Sequence, residues 1–271
     1  MKNLKKILLV IATTFCLSSC VRDIASEKPQ PNIKEIEKEI EIEIKEIEID
    51  KQFPVSSNVH LTIKNINGPI TIVGHNKNIA SLQVIKRGKD IKDLEKVKII
   101  NTLKENEIIC TTKHGDNIGE FVSVEYKLTV PFYAVVKLAR TINGDITTDY
   151  IKGPLKLKTT NGKITSHKTN NSVKATSVNG SIEVNSESLA EKQTIDLTTV
   201  NGSIALNIPG NLHASYQAQT MVGNISSNIP TTYESSHLVG KIIKGIIGDN
   251  KKATNTIKLS STNGNISINS K

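Results

Sequence analysis

Thr141-Ile142-Asn143-Gly144-Asp145-Ile146 is a phrase that this chain repeats. It returns as Thr159-Thr160-Asn161-Gly162-Lys163-Ile164, as Ser177-Val178-Asn179-Gly180-Ser181-Ile182 and as Thr199-Val200-Asn201-Gly202-Ser203-Ile204. A last copy is Ser261-Thr262-Asn263-Gly264-Asn265-Ile266, and an early one is Ile66-Asn67-Gly68-Pro69-Ile70. A degenerate copy, Met221-Val222-Gly223-Asn224-Ile225, keeps only the glycine and the isoleucine. From Gly144 to Gly223 the glycines stand 18, 18, 22 and 21 residues apart. A unit of about twenty residues cannot bury its own apolar face, so the period predicts stacked coils, a single-chain all-β solenoid. Asn-Gly tolerates positive φ, which predicts structural turns at Asn67-Gly68, Asn143-Gly144, Asn161-Gly162, Asn179-Gly180, Asn201-Gly202, Gly223 and Asn263-Gly264. The isoleucine two residues after each glycine is expected to point inward and to stack on its counterparts. The asparagine amides are expected to form a ladder along the corner. A string of hairpins is the competing reading, because Asn-Gly is also the strongest hairpin signal. Hairpins need neither a fixed period nor the same Thr/Ser and Ile flanks, and this favours the solenoid.

Composition agrees. The 271 residues are 37% hydrophobic but only 3% aromatic, with no Trp, so the core must be filled by aliphatic side chains. Pairs such as Leu155 and Leu157, Ile182 and Val184, Ile195 and Leu197, and Ile257 and Leu259 suit a thin stacked core, with Lys156, Lys158 and Lys174 pointing out. The formal charge of +9 divides unevenly. Residues 21–53 carry ten acids and six bases, whereas residues 54–271 carry 26 bases and 16 acids. A basic body of this kind suits anionic envelope material such as phospholipid headgroups or acidic glycans; a soluble lysine-rich outer face is the favoured account. Nothing in the sequence pairs basic residues with aromatics in a recognition motif, so nucleic acid is not an expected partner.

The amino terminus reads as an address. Lys2, Lys5 and Lys6 precede a short apolar run from Ile7 to Phe15, too short to span a bilayer. Leu17-Ser18-Ser19-Cys20 follows and resembles the bacterial lipobox, which implies cleavage after residue 19 and a lipid-modified Cys20. Residues 1–19 are then a lipoprotein signal peptide, 20–39 a tether and 40–271 the adhesin-like β-solenoid domain. The expected location is extracytoplasmic, on a bacterial membrane through lipid, with the outer membrane or cell surface favoured over the inner membrane. With Cys16 discarded and Cys20 lipidated, Cys110 is left without a disulfide partner and reads as core.

Between tether and repeats the elements are less uniform. Ile33, Ile36, Ile40, Ile44 and Ile47 fit a helical stripe, while Ile40, Ile42, Ile44, Ile47 and Ile49 fit strand alternation with one slip. The strand over 40–49 is favoured because Ile is β-branched. Strands are expected near residues 59–63, 70–72, 81–86 and 122–130. A helical turn is expected at Asp90 to Lys96, and a hairpin joins Lys98–Leu103 to Glu107–Thr112.

Catalytic signatures are missing from the sequence. The six histidines show no ligand spacing, no G-x-S-x-G elbow occurs, and no metal site, cofactor or catalytic residue is predicted. Gly240 to Gly248 lacks the order of a phosphate loop and reads as a flexible loop between units. A carbohydrate-active enzyme on a β-helix is the alternative, but it needs clustered carboxylates. Stacking aligns Asp145 with Lys163, Ser181 and Ser203 instead.

The T-x-N-G-x-I phrase, the opening from Phe53 to Gly74 and the lipobox together resemble an adhesin-like β-solenoid family of bacterial envelope proteins, a domain of unknown function. The likeness covers residues 53–271 and rests on the repeat. It implies a surface-exposed solenoid with a structural or binding role rather than catalysis, with an envelope glycan, a host surface or an envelope protein as partner. An envelope stress or regulatory component is a further reading.

Overall fold

The computed structural model describes residues 3–9, 42–119, 121–230, 233–236 and 240–270. Cys20 and the 20–39 tether lie outside them. Among the described residues the chain forms two sheets of eleven strands each, with one core cluster drawn from both. In spatial order the first sheet, A, holds β1 (Asn3–Leu9), β2 (Ile42–Pro54), β5 (Ile79–Gly88), β8 (Ser123–Pro131), β4 (Ile70–His75) and β10 (Ile146–Asp149). It continues through β12 (Ile164–Thr169), β14 (Ile182–Ser186), β16 (Ile204–Ile208), β22 (Ile266–Ser270) and β18 (Ile225–Ser227). The second sheet, B, runs β19 (Tyr233–Ser236), β20 (Lys241–Ile247), β17 (Ala214–Val222), β21 (Asn255–Asn263), β15 (Thr194–Asn201) and β13 (Val173–Asn179). It ends with β11 (Leu155–Lys158), β9 (Val135–Arg140), β3 (His60–Lys64), β7 (Glu107–Lys113) and β6 (Lys98–Lys104).

From β10 to β18 consecutive strands alternate between the sheets, so each of these coils gives one strand to each, and the coils pair in parallel with one another. Ile146, Ile164, Ile182, Ile204, Ile266 and Ile225 occupy one position in six successive coils, and all are buried. Burying one such side chain contributes about 1.5–3 kcal/mol, and the stack provides the apolar partners that a lone coil lacks.

The order of the coils departs from sequence order. The last coil, β21 and β22, lies between the β15–β16 coil and the β17–β18 coil. Stacking therefore departs from chain order at the carboxyl end: Gly223 belongs to the outermost repeat coil and Gly264 to the one before it. The reading of Gly240 to Gly248 as a flexible loop is also corrected. Residues 241–247 form β20, which pairs antiparallel with β17 along the free edge of the outermost coil. Gly245 explains how a glycine-rich run sits in a strand, since a Cβ there would meet the Tyr216 ring at 2.4 Å.

The amino-terminal end is antiparallel where the body is parallel: β2, β5 and β8 pair antiparallel in turn beside β4. Residues 42–54 are a strand, which settles the ambiguous isoleucine run in favour of alternation over its described part. The short helix α1 (Ile91–Lys96) starts at Asp90, whose carboxylate accepts from the Lys92 amide. Glu46, Arg87, Glu125 and Lys127 form an ion-pair chain across this end. Burial alone would raise the Glu125 carboxyl, but hydrogen bonds from Arg87 and Lys127 outweigh it and hold it below the usual range. Cys110 is fully buried, and loss of solvent pushes its thiol up to about 12.

Candidate functional site

Each letter of the repeated phrase has a structural role along one corner of the stack. The Thr or Ser hydroxyl donates to the glycine carbonyl of the preceding coil: Thr141 to Gly68, Thr159 to Gly144, Ser177 to Gly162, Thr199 to Gly180, Ser261 to Gly202 and Thr220 to Gly264, at 2.8–3.1 Å. The asparagines form an amide ladder, with Asn143, Asn161, Asn179, Asn201 and Asn263 each donating to the asparagine of the coil before at 2.7–2.8 Å. The ladder stops where the outermost coil presents Val222 opposite Asn263.

The glycines serve close approach more than a special φ. Gly68 has φ 116°, but Gly180, Gly202 and Gly264 lie outside the positive-φ region, a correction to the expectation of left-handed turns at every copy. At Gly180 a Cβ would sit 1.8 Å from the Gly162 carbonyl oxygen, and at Gly264 it would sit 2.0 Å from that of Gly202. Any side chain would force the coils apart. The repeat residues thus lie along one hydrogen-bonded corner of the stack.

The outer face of sheet B is cationic. Lys64, Arg140 and Lys158 stand side by side on β3, β9 and β11, all exposed, with Thr111 and Thr176 flanking them. One residue pair along the strands, Lys156, Lys174, Asp196 and Lys258 form a second row across β11, β13, β15 and β21. Only Lys174 is neutralised there, by Asp196 at 2.8 Å; that hydrogen bond also raises the Lys174 pKa. Neighbouring strands are about 4.8 Å apart, so unpaired like charges at matched positions repel one another. A polyanion laid across the strands would relieve that repulsion.

Sheet A differs. Its outward positions at the matching level are Thr147, Thr165, Glu183, Ala205, Ser267 and Ser226. Glu183 is paired with Lys163 at 2.7 Å, and that bond, ahead of one from Asn185, holds its carboxyl below the usual range. At the far end of these strands is a groove of about 680 Å³, lined by Asp149, His167, Lys168, Asn185, Ser186 and Glu187 among others. Sequence reasoning missed it. The signal was present five residues after each repeat glycine, where Asp149, His167, Asn185, Asn207, Asn269 and Asn228 recur. Among the described residues no three His, Cys, Asp or Glu side chains are grouped to hold a metal, and no helix is long and apolar enough to cross a membrane.

Comparison with known proteins agrees with this architecture. The Toastrack DUF4097 family matches residues 24–269. Among solved structures, a "putative cell adhesion protein" from Clostridium sporogenes shares the fold with a TM-score of 0.50 at 13% identity, covering 83% of this chain and 100% of its own. A "putative adhesin" from Bacteroides fragilis aligns with a TM-score of 0.40 at 12% identity, covering 83% of this chain and 97% of its own. No curated protein matches the sequence.

Proposed function

The chain belongs to the Toastrack DUF4097 family, and from that membership and the charge of its faces we propose a non-catalytic, adhesin-like binding protein of the cell envelope. In this reading cleavage after residue 19 removes β1, so the mature sheet A begins at β2; lipid on Cys20 holds the chain to a bacterial membrane, the tether spaces the solenoid from it, and the Asn-Gly corner keeps the coils in register. Leu17-Ser18-Ser19-Cys20 supports the anchor, since two acyl chains suffice for stable attachment. The binding surface is the outer face of sheet B, and its partner is an acidic glycan of the envelope or of a host surface. The observation that carries this is the unpaired row of Lys64, Arg140 and Lys158 on three adjacent strands.

The test is a titration of the solenoid body with a soluble acidic polysaccharide at rising ionic strength. Binding that weakens with salt and falls at least about tenfold in the triple variant Lys64→Glu/Arg140→Glu/Lys158→Glu supports the reading. Equal binding by that variant overturns it. The anchor is tested separately: Cys20→Ser should abolish labelling by a palmitate analogue and release the chain from membranes.

A further inference from the structure

We infer that the groove at the end of the sheet A strands is a second binding site, for an uncharged oligosaccharide lying along the stack. A column of side chains at one position runs through six successive coils, Asp149, His167, Asn185, Asn207, Asn269 and Asn228, and its first four members line the groove. A merely solvated face would vary from coil to coil, as Thr147, Thr165, Glu183, Ala205 and Ser267 do two residues earlier. Asparagine is depleted in strands, so four of them at one position are not explained by strand propensity.

The hydrogen-bonding capacity of this column is only partly used. Asn185 Nδ2 contacts His167 Nδ1 at 2.8 Å, and as an amide nitrogen it donates, leaving the ring proton on Nε2. Asn207 donates to Asn185, and Asn269 donates to Asn207 at 3.1 Å. An amide has two N–H donors and two acceptor lone pairs. Asn207 therefore keeps one N–H and one lone pair beyond the ladder, and His167 keeps its Nε2–H. Asp149, which lines the groove, has a buried Oδ1 with no partner among the described residues. Unsatisfied buried polar groups are rare in folded proteins, and this one marks a place where a ligand hydroxyl or its ordered water completes the bonding.

The chemistry of the walls selects the ligand. Asp149 and Glu187 face one cation, Lys168, whose ammonium lies over the Tyr150 ring 3.7 Å from its centre and also bonds the Tyr150 hydroxyl. The groove is therefore not a polyanion site, which separates it from sheet B. Seven of the lining residues, Asp149, His167, Lys168, Asn185, Ser186, Glu187 and Asn207, carry polar or charged groups, beside Ile208, Pro209 and Gly210. A sugar hydroxyl both donates and accepts, as the unused amide groups require. The regular advance of about 4.8 Å per coil suits an extended chain with hydroxyls at intervals. A volume of about 680 Å³ lies within the usual range for small-ligand sites.

The experiment is calorimetric titration of the solenoid body with neutral hexaoses of glucose, N-acetylglucosamine, mannose and galactose. At least one should bind, and Asn207→Leu should weaken it by about tenfold or more, whereas Lys158→Glu on the opposite sheet should change it less than about twofold. Should Asn207→Leu lower the melting temperature, the side-chain amide resonances of Asn185 and Asn207 in the unaltered protein provide the second readout and must shift on titration. No binding by any of the four sugars, or shifts confined to other residues, overturns the proposal. Neither result touches the acidic-glycan reading, which rests on a different face and a different probe.

Discussion

The two sheets share their coils, yet their outer faces carry different chemistry. Sheet B presents lysine and arginine at matched positions, while sheet A presents threonine, serine, alanine and one compensated carboxylate, Glu183, at the level of Thr147. Inside, the faces are alike: Ile, Leu, Val and Ala fill both, because a stacked coil is stable only if each inward side chain lies on another. The difference teaches where constraint ends. Inward positions and the Asn-Gly corner are set by the spacing of the coils, whereas outward positions are free, so a pattern that persists there calls for a ligand.

The largest expected effect removes both faces together. Gly180→Val places a side chain against the Gly162 carbonyl, where the added Cβ alone would be 1.8 Å from oxygen. It should cost roughly 3 kcal/mol or more, read as a fall in melting temperature. An unchanged transition would show that the coils can separate, and the corner would lose its assigned role.

Next in size is alkali. The Cys110 thiol stands at about 12 in the folded chain against 9.0 for an ordinary thiol. The unfolded chain therefore loses this proton first, and stability falls as pH rises from about 9 toward 12. Chemical unfolding at stepped pH, compared with Cys110→Ala, should show that part of the slope vanish in the variant. Native Cys110 should also resist alkylation at neutral pH until the chain unfolds.

A smaller effect sharpens the contrast between the corner and the faces. Asn179 donates to Asn161 and accepts from Asn201 in the ladder. Asn179→Ala should cost about 1–2 kcal/mol in denaturant unfolding, while leaving binding on either face unchanged. The smallest change belongs to Lys158→Glu, whose side chain is exposed. Its effect on stability should stay within about 0.5 kcal/mol, with all its consequence in affinity for polyanions.

Much of this was legible in the sequence because the repeat writes the same contact many times. Ile164 and Ile182 disclose an inward column, and Asn161 and Asn179 a ladder, since identical residues at a fixed interval have one explanation. The order of the last coils was not legible. Val222-Gly223 and Asn263-Gly264 differ by one side chain, and only tertiary pairing decides which coil takes the end position. Residues 241–247 were misread because glycine usually weakens strands, whereas Gly245 makes room for the Tyr216 ring. The groove escaped notice because Asp149, His167 and Asn185 differ in type, and their shared position is visible only when counted from the glycine.

One paired titration tests the division of labour most directly. The solenoid body, its Lys64→Glu/Arg140→Glu/Lys158→Glu variant and its Asn207→Leu variant are each titrated with an acidic polysaccharide at low and high salt. The account predicts salt-sensitive binding that the charge reversal removes and Asn207→Leu leaves intact. Equal affinity in all three proteins, or a loss confined to Asn207→Leu, would contradict it.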